Sequence, residues 1–170
     1  GRTAMTSRLS PSRRKFWKTY QPTSCRDALH QCKAYAQEAR NLSVERIADQ
    51  MGLPDHWALY KWIESGRFPF VLIPAYESAC GINLPSRWLA ATQRRLLVYM
   101  PVGKAGDEDD MVALATKFSQ AVQLLRDFYK SSGATDPAPV LAALRSHLES
   151  VAHHHLNVAG FSQPELDFAP

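Results

Sequence analysis

Glycine and proline divide the middle of the chain into short segments. Three such breaks lie between residues 52 and 85: Gly52 with Pro54, Gly66 with Pro69, and Gly81 with Pro85. Glycine commonly ends a helix in the left-handed conformation, and proline fits the first turn of the next helix. Apolar residues between the breaks recur at steps of three and four, and no stretch alternates convincingly as a half-buried strand does. The pattern predicts short helices and an all-α fold.

Residues 24–100 are predicted to form one domain of five short helices. Ser24 and Ser43 are favourable N-caps for the first two helices, which end near Arg40 and Met51. The third helix is predicted over 55–64, the fourth over 71–80 with Pro74 in its first turn or at a small break, and the fifth from 85 to about 93. The segment 95–100 is compatible with either a strand or a helix end.

A helical hairpin is predicted over residues 111–156, after a linker over 101–110 and before a tail over 157–170. The acidic run Asp107-Glu108-Asp109-Asp110 favours a helix start, because anions are stabilised there by the helix dipole. The apolar stripes of the two helices must be covered by each other, by the first part of the chain or by another subunit. We expect oligomerisation through Met111, Phe118, Val122, Leu125, Tyr129, Leu141, Leu144 and Leu148.

Charge is distributed unevenly along the chain. Residues 1–100 contain 15 Lys and Arg against 7 Asp and Glu, a net charge of +8, whereas residues 101–170 contain 5 against 9, a net of −4. A basic part joined to an acidic part favours a polyanion-binding module attached to a second function. The alternative is chance unevenness on a soluble surface.

Several classes of protein are disfavoured by the sequence. No apolar run approaches the roughly 18–20 residues that span a bilayer, and the first 20 residues lack the apolar centre of a signal peptide. The three cysteines are odd in number and lack metal-ligand spacing. No phosphate loop, nucleophile elbow or two-metal carboxylate cluster is present. We therefore expect a cytoplasmic protein without membrane partner, cofactor or metal, and not an enzyme.

The stretch from Leu42 to Gly66 has the pattern of a helix, a glycine-containing turn and a second helix. This helix-turn-helix arrangement places its second helix in the major groove of DNA, and free N–H groups at the start of its first helix contact phosphate. The predicted DNA-binding residues in this stretch and just after it are Ser43, Val44, His56, Trp57, Tyr60, Lys61, Ser65 and Arg67. Purely structural packing of the helix pair is the alternative.

The stretch "LSVERIADQMGL" resembles the second helix of lambda-repressor-like phage regulators, and Lys61-Trp62 followed by "FPFVLIPAYESACG" is similar to phage lysogeny activators of the lambda type. The resemblance covers residues 24–92. It implies a five-helix DNA-binding fold and a sequence-specific transcription regulator that acts as a dimer or tetramer. Aligned without a gap, Lys61 falls at a buried position of the family, and a turn longer by one residue restores Leu59 and Trp62 there.

Residues 1–23 are predicted to form a basic N-terminal arm. Arg13, Arg14, Lys15 and Lys18 alternate with aromatic residues and are candidates for phosphate or minor-groove contacts. In the alternative interpretation, the aromatic residues pack on the first domain helix while the charges are solvated.

The sequence as a whole predicts a phage or prophage transcription regulator that binds a near-palindromic operator and blocks or recruits RNA polymerase. The alternative is a protein-interaction module, such as an antirepressor or antitoxin, that uses the same helix pair to bind a protein. The tail "QPELDF", residues 163–168, resembles short peptides that dock onto the bacterial sliding clamp. Consecutive histidines at 153–155 point to different sides of a helix, which favours a solvated helix end over a metal site.

Overall fold

The computed structural model describes residues 8–100 and 107–162, and within these ranges the protein is helical, without strands. This confirms the predicted all-α class. The chain forms two compact units, residues 1–97 and 98–170. The described α-helices are α1 (Pro11–Thr19), α2 (Cys25–Arg40), α3 (Val44–Gln50), α4 (His56–Ser65), α5 (Ile73–Cys80), α6 (Leu84–Thr92), α7 (Glu108–Lys130) and α8 (Ala138–Ser162).

Side-chain caps and glycines define the helix ends of the first unit, as the sequence predicts. Ser24 accepts a hydrogen bond from the backbone N–H of Asp27 at 3.0 Å and caps α2. Ser43 caps α3 in the same way. The fourth predicted helix is divided, because a short 3-10 turn over Phe70–Leu72 precedes α5. Proline in the first turn of α5 accounts for the break, because its ring lacks the N–H that would continue the helix.

Helix α2 lies at the centre of the first unit and contacts α4, α5 and α6. Its inner side is fully buried and consists of Ala28, Leu29, Cys32 and Ala36. The buried Tyr76 of α5 donates its hydroxyl to the backbone carbonyl of Leu29 at 2.7 Å. Burial raises the pKa of Tyr76, so this hydroxyl keeps its proton and its hydrogen bond.

The segment predicted as an N-terminal arm contains a helix, α1, that packs on the first unit. Ser10 accepts from the backbone N–H of Arg13 at 3.3 Å, and Pro11 occupies the first turn. Trp17 is buried, and its ring meets that of Tyr35 edge-on, with 5.5 Å between the centroids. The aromatic residue therefore packs on α2, as the alternative interpretation predicts, while Phe16 remains partly exposed. The undecided segment 95–100 is neither helix nor strand.

Helices α7 and α8 form an antiparallel pair in the second unit. Lys117 Nζ donates to Ser150 Oγ at 3.1 Å, and His154 Nε2 lies 3.4 Å from the carbonyl oxygen of Asp110. The start of α7 therefore lies opposite the end of α8. Asp107 and Asp110 form a reciprocal capping box at the start of α7, where the sequence places a helix start. Helix α8 continues to Ser162, so residues 157–162, predicted as part of the tail, are helical.

No helix within 8–100 or 107–162 combines the length and apolar character needed to cross a membrane. The clamp-like peptide at 163–168 lies outside the described residues.

Candidate nucleic-acid interface

A turn of five residues, Met51 to Asp55, joins α3 to α4. Gly52 adopts a φ of +71°, and its N–H donates to the carbonyl of Asp49 at 3.0 Å. The next N–H, of Leu53, donates to the carbonyl of Ala48 at 3.0 Å. Asp55 then accepts from the backbone N–H of Trp57 at 2.9 Å and caps α4. The turn is thus closed on both sides by hydrogen bonds, which fixes the direction of α4.

One side of α4 belongs to the core and the other side is open to solvent. Leu59 and Ile63 are fully buried, and the Trp62 ring lies against the Phe68 ring with 5.5 Å between centroids. On the outer side, Trp57 is 68% exposed, and Lys61 is exposed as well. Lys61 therefore does not occupy a core position.

An aromatic cluster, His56, Trp57 and Tyr60, occupies the first turns of α4, with Trp57 exposed and the other two rings half-buried. The His56 and Trp57 ring centroids are 4.9 Å apart, and those of Trp57 and Tyr60 are 5.9 Å apart. Single exposed apolar residues are common on protein surfaces, whereas a group of adjacent rings that includes an exposed tryptophan more often marks a contact with another molecule. The cluster presents ring faces and edges that fit planar or apolar groups of another molecule.

Helix α3 and helix α4 are connected by a hydrogen bond between exposed side chains. Tyr60 donates its hydroxyl to Glu45 Oε1 at 3.0 Å. The pKa of Glu45 is lowered, first by its own backbone N–H and then by the Tyr60 hydroxyl. The Glu45 carboxylate therefore occupies the N-terminal end of α3, where the sequence predicts phosphate beside Ser43 and Val44. Val44 itself is buried, so only its backbone can contribute to such a contact.

The remaining predicted residues of the helix pair lie at the end of α4. Ser65 and Arg67 are exposed, and Ser65 Oγ accepts from the Arg67 backbone N–H at 3.2 Å. Glu64 faces α2, with its carboxylate 3.6 Å from Arg26 Nη2 and 3.8 Å from His30 Nε2. The structure therefore places His56, Trp57, Tyr60, Lys61, Ser65 and Arg67 along α4 and just beyond it.

The predicted cations of α1 lie apart from α4. Arg13 forms an ion pair with Glu38 at 2.7 Å, while Arg14, Lys15 and Lys18 are exposed. Helix α1 packs on the side of α2 that carries Glu38, whereas α4 packs on the side that carries Arg26. At about 100° per residue, the two sides are roughly 120° apart around α2. The two predicted groups of DNA-binding residues therefore do not form one continuous surface through α2.

The net positive charge of the first part is not concentrated on the helix pair. Residues 43–67 contain four acidic residues against three basic ones, a net charge of −1. The largest excess of basic residues lies on α1, which has four basic and no acidic residues, and two further arginines follow α6. Any contact with a polyanion through α4 therefore depends on the positions of single cations, Lys61 and Arg67 above all, and not on a strongly basic surface.

The residues predicted for oligomerisation lie along the α7–α8 hairpin. Six of the eight are exposed, namely Met111, Phe118, Val122, Tyr129, Leu141 and Leu148. Leu125 and Leu144 are half-buried between the helices. In the described parts of the chain, no three His, Cys, Asp or Glu side chains are grouped so that they could hold a metal ion.

Comparison of the chain with models of protein families, with curated proteins and with solved structures gave no match.

Proposed function

We propose that the chain is a sequence-specific DNA-binding transcription regulator, of phage or prophage type, whose α3 and α4 act as a helix-turn-helix pair. The observation that carries the proposal is the outer side of α4, where His56, Trp57 and Lys61 project from a helix whose inner side is fixed in the core. A helix presented in this way fits the major groove, in which side chains reach base edges. The family resemblance adds the expected lambda-repressor-like fold.

In the proposed mechanism, each α4 binds one half of a near-palindromic operator, and the protein acts as a dimer or tetramer. Lys61 on α4 and Arg67 just beyond the end of α4 are both exposed, and their cationic groups donate to guanine edges or phosphates. Occupancy of the operator then blocks or recruits RNA polymerase. The second unit contributes self-association, which raises affinity through effective concentration.

The test is selection of bound DNA from a random pool, followed by gel shifts with the selected duplex and with an unrelated duplex. Lys61→Ala is expected to weaken binding to the selected duplex by roughly 10-fold, the effect of losing one good base or phosphate contact. Lys33→Ala, on α2, removes the same charge from another helix and is the matched control. Retained operator affinity in both Lys61→Ala and Arg67→Ala would contradict the assignment of these residues.

A second substitution, which should tighten DNA binding and not weaken it, tests the same surface. Glu45→Gln removes the carboxylate at the start of α3, which repels phosphate, and should therefore tighten DNA binding at low salt. The tightening should decrease as salt screens the repulsion. Unchanged or weakened binding by Glu45→Gln would mean that phosphate does not approach this end of α3.

A second candidate function rests on the aromatic cluster and its exposed Trp57. An interaction module would use His56, Trp57 and Tyr60 to bind a protein, such as a repressor or a toxin. The two functions differ in the gel shift: the interaction module leaves every duplex unshifted at low salt, including the random pool.

A further inference from the structure

Helix α8 has fewer charged residues than is usual for a helix that packs on one side and faces solvent on the other. It contains 25 residues, of which two, Arg145 and Glu149, are formally charged at neutral pH. Eight more residues are polar without a formal charge, and the other fifteen are apolar or glycine, a larger apolar share than one covered side requires. Among the described side chains of α8, however, Val140 alone is buried. Helix α7 therefore covers a part of the apolar surface of α8 and leaves the rest open.

The open apolar surface is continuous across both helices. We define the outer stripe as Met111, Phe118, Val122 and Tyr129 of α7 together with Leu141, Leu148 and Val151 of α8, all of them exposed. At about 100° per residue, both sets lie on the same side of the antiparallel pair, next to the residues that face the partner helix. The Phe118 and His147 rings meet across the two helices at 5.2 Å.

A groove extends the outer stripe toward the start of α7 and the end of α8. It has a volume of about 420 Å³ and is lined by Leu114, Val151, His154, His155, Val158 and Ala159. The groove is shallow and mostly apolar, so it suits side chains of a packing helix better than a polar small molecule.

The exposed area is large enough for a stable interface. Phe118 and Tyr129 are 56% and 70% exposed, and Leu141 is 62% exposed. With about 200 Å² for a large side chain, the outer stripe exposes roughly 600–700 Å² of side chain in each chain. Two copies that cover each other would bury roughly 1,300 Å², which lies within the range of specific protein interfaces.

The charges of α7 favour one arrangement of the two copies. Four acidic residues, Asp107 to Asp110, lie at the start of α7, whereas Arg126, Asp127 and Lys130 give its end a net charge of +1. Between Met111 and Leu125 the single charged residue is Lys117, which donates to Ser150 within the hairpin. If α7 of one copy runs antiparallel to α7 of the other, each acidic start lies beside a basic end. The parallel arrangement would bring the two acidic starts together.

We propose that a second copy of this chain covers the outer stripe, so that two α7–α8 hairpins form an antiparallel four-helix bundle with a two-fold axis near Phe118 and Val122. A two-fold axis makes the same surface serve both copies. The inference deepens the proposed function and rests on it for the use of the dimer on DNA, whereas the pairing itself requires no DNA.

The experiment measures the mass of the full chain in solution, without DNA, by sedimentation across a dilution series. The wild-type chain is expected at the mass of two copies. Phe118→Glu combined with Val122→Glu places four carboxylates near the two-fold axis and should weaken pairing by roughly 100-fold or more. Gln120→Glu combined with Gln123→Glu adds the same charge on the side of α7 away from the stripe, and this control should remain at the mass of two copies.

Helix content by circular dichroism shows whether the stripe variant, Phe118→Glu with Val122→Glu, still folds. Leu141→Lys provides a second test of the outer stripe, on α8. A wild-type chain at the mass of one copy, or of four, would overturn the two-hairpin bundle. So would a folded stripe variant that keeps the mass of two copies. Pairing without any DNA shift would leave this inference intact and remove the proposed function. Operator binding by a single copy would remove this inference and keep only the DNA-binding part of the proposed function.

Discussion

At the scale of the residue, Glu38 is the point at which α1 is attached to the first unit. It accepts from Arg13 Nε at 2.7 Å and from Trp17 Nε1 at 3.3 Å, so one carboxylate on α2 holds two side chains of α1. The hydrogen bond from Arg13 lowers the pKa of Glu38 below its ordinary value of 4.5. The ionised form is therefore bound more favourably in the folded state than in the unfolded state.

We predict that Glu38→Gln destabilises the first unit at pH 7 and that the difference from wild type disappears in acid. A carboxylate with a lowered folded pKa contributes stability above its ordinary pKa and loses it as the pH falls through the folded value. Because the Arg13 pair is partly exposed, the effect is modest and should shrink in high salt. Unfolding in urea at several pH values measures it. Glu149→Gln controls for net charge, and equal losses in both variants at pH 7 would refute the prediction.

At the scale of the element, the turn between α3 and α4 depends on a glycine conformation. Gly52 has φ of +71°, and a Cβ added there would meet no atom within 4 Å. Any loss of stability from an added methyl group must therefore come from backbone strain and not from a clash. An alanine substitution at Gly52 therefore tests backbone conformation apart from packing, at the turn that sets the direction of α4.

We predict that Gly52→Ala lowers the free energy of unfolding of the first unit by about 1 kcal/mol, the strain of a left-handed alanine. Gly160→Ala is the matched control. It makes the same chemical change inside α8, also with no atom within 4 Å of the added Cβ, and it should stabilise that helix by about 0.5–1 kcal/mol. Urea unfolding followed by circular dichroism measures both, and effects of the same sign would contradict the explanation.

The helices that the sequence predicts well are those with local signals at their ends. Ser24, Ser43 and Gly81 act through hydrogen bonds or backbone conformation within a few residues, and such signals can be read without knowledge of the fold. Helix α1 was missed although Ser10 and Pro11 are a favourable helix start, because its basic composition favoured an arm and its stability comes from distant contacts. Glu38 lies 25 residues from Arg13 along the chain, and no local pattern joins them.

Part of the candidate interface could also be predicted from local sequence signals. The open side of α4 follows from helical periodicity, which places Lys61 opposite the buried Leu59. The bond between Tyr60 and Glu45 spans 15 residues and two helices, so it depends on the angle at which the helices meet. The α1 cations share their positive charge with Lys61 and Arg67, but the fold places α1 on another side of α2 than α4.

At the scale of the whole molecule, the two units can be followed separately. All four tryptophans, Trp17, Trp57, Trp62 and Trp88, belong to the first unit. Tryptophan fluorescence therefore reports on residues 1–97, whereas circular dichroism reports on the helices of both units.

If two hairpins form a bundle, only the second unit should gain stability from mass action. We predict that a tenfold increase in protein concentration raises the thermal midpoint of the hairpin, seen by circular dichroism, and leaves the fluorescence midpoint unchanged. The stripe variant Phe118→Glu with Val122→Glu should lose the concentration dependence. A fluorescence midpoint that rises equally with concentration would instead place self-association in the first unit.

The hydrogen bond from Tyr60 to Glu45 has a consequence for any partner of α4. The Tyr60 side chain gives up its rotational freedom when the chain folds, long before association, so that entropy is not lost a second time on binding. The outline of this part of α4 is already set in the free protein. A partner has to match that outline as it stands, and selectivity among partners then follows from shape.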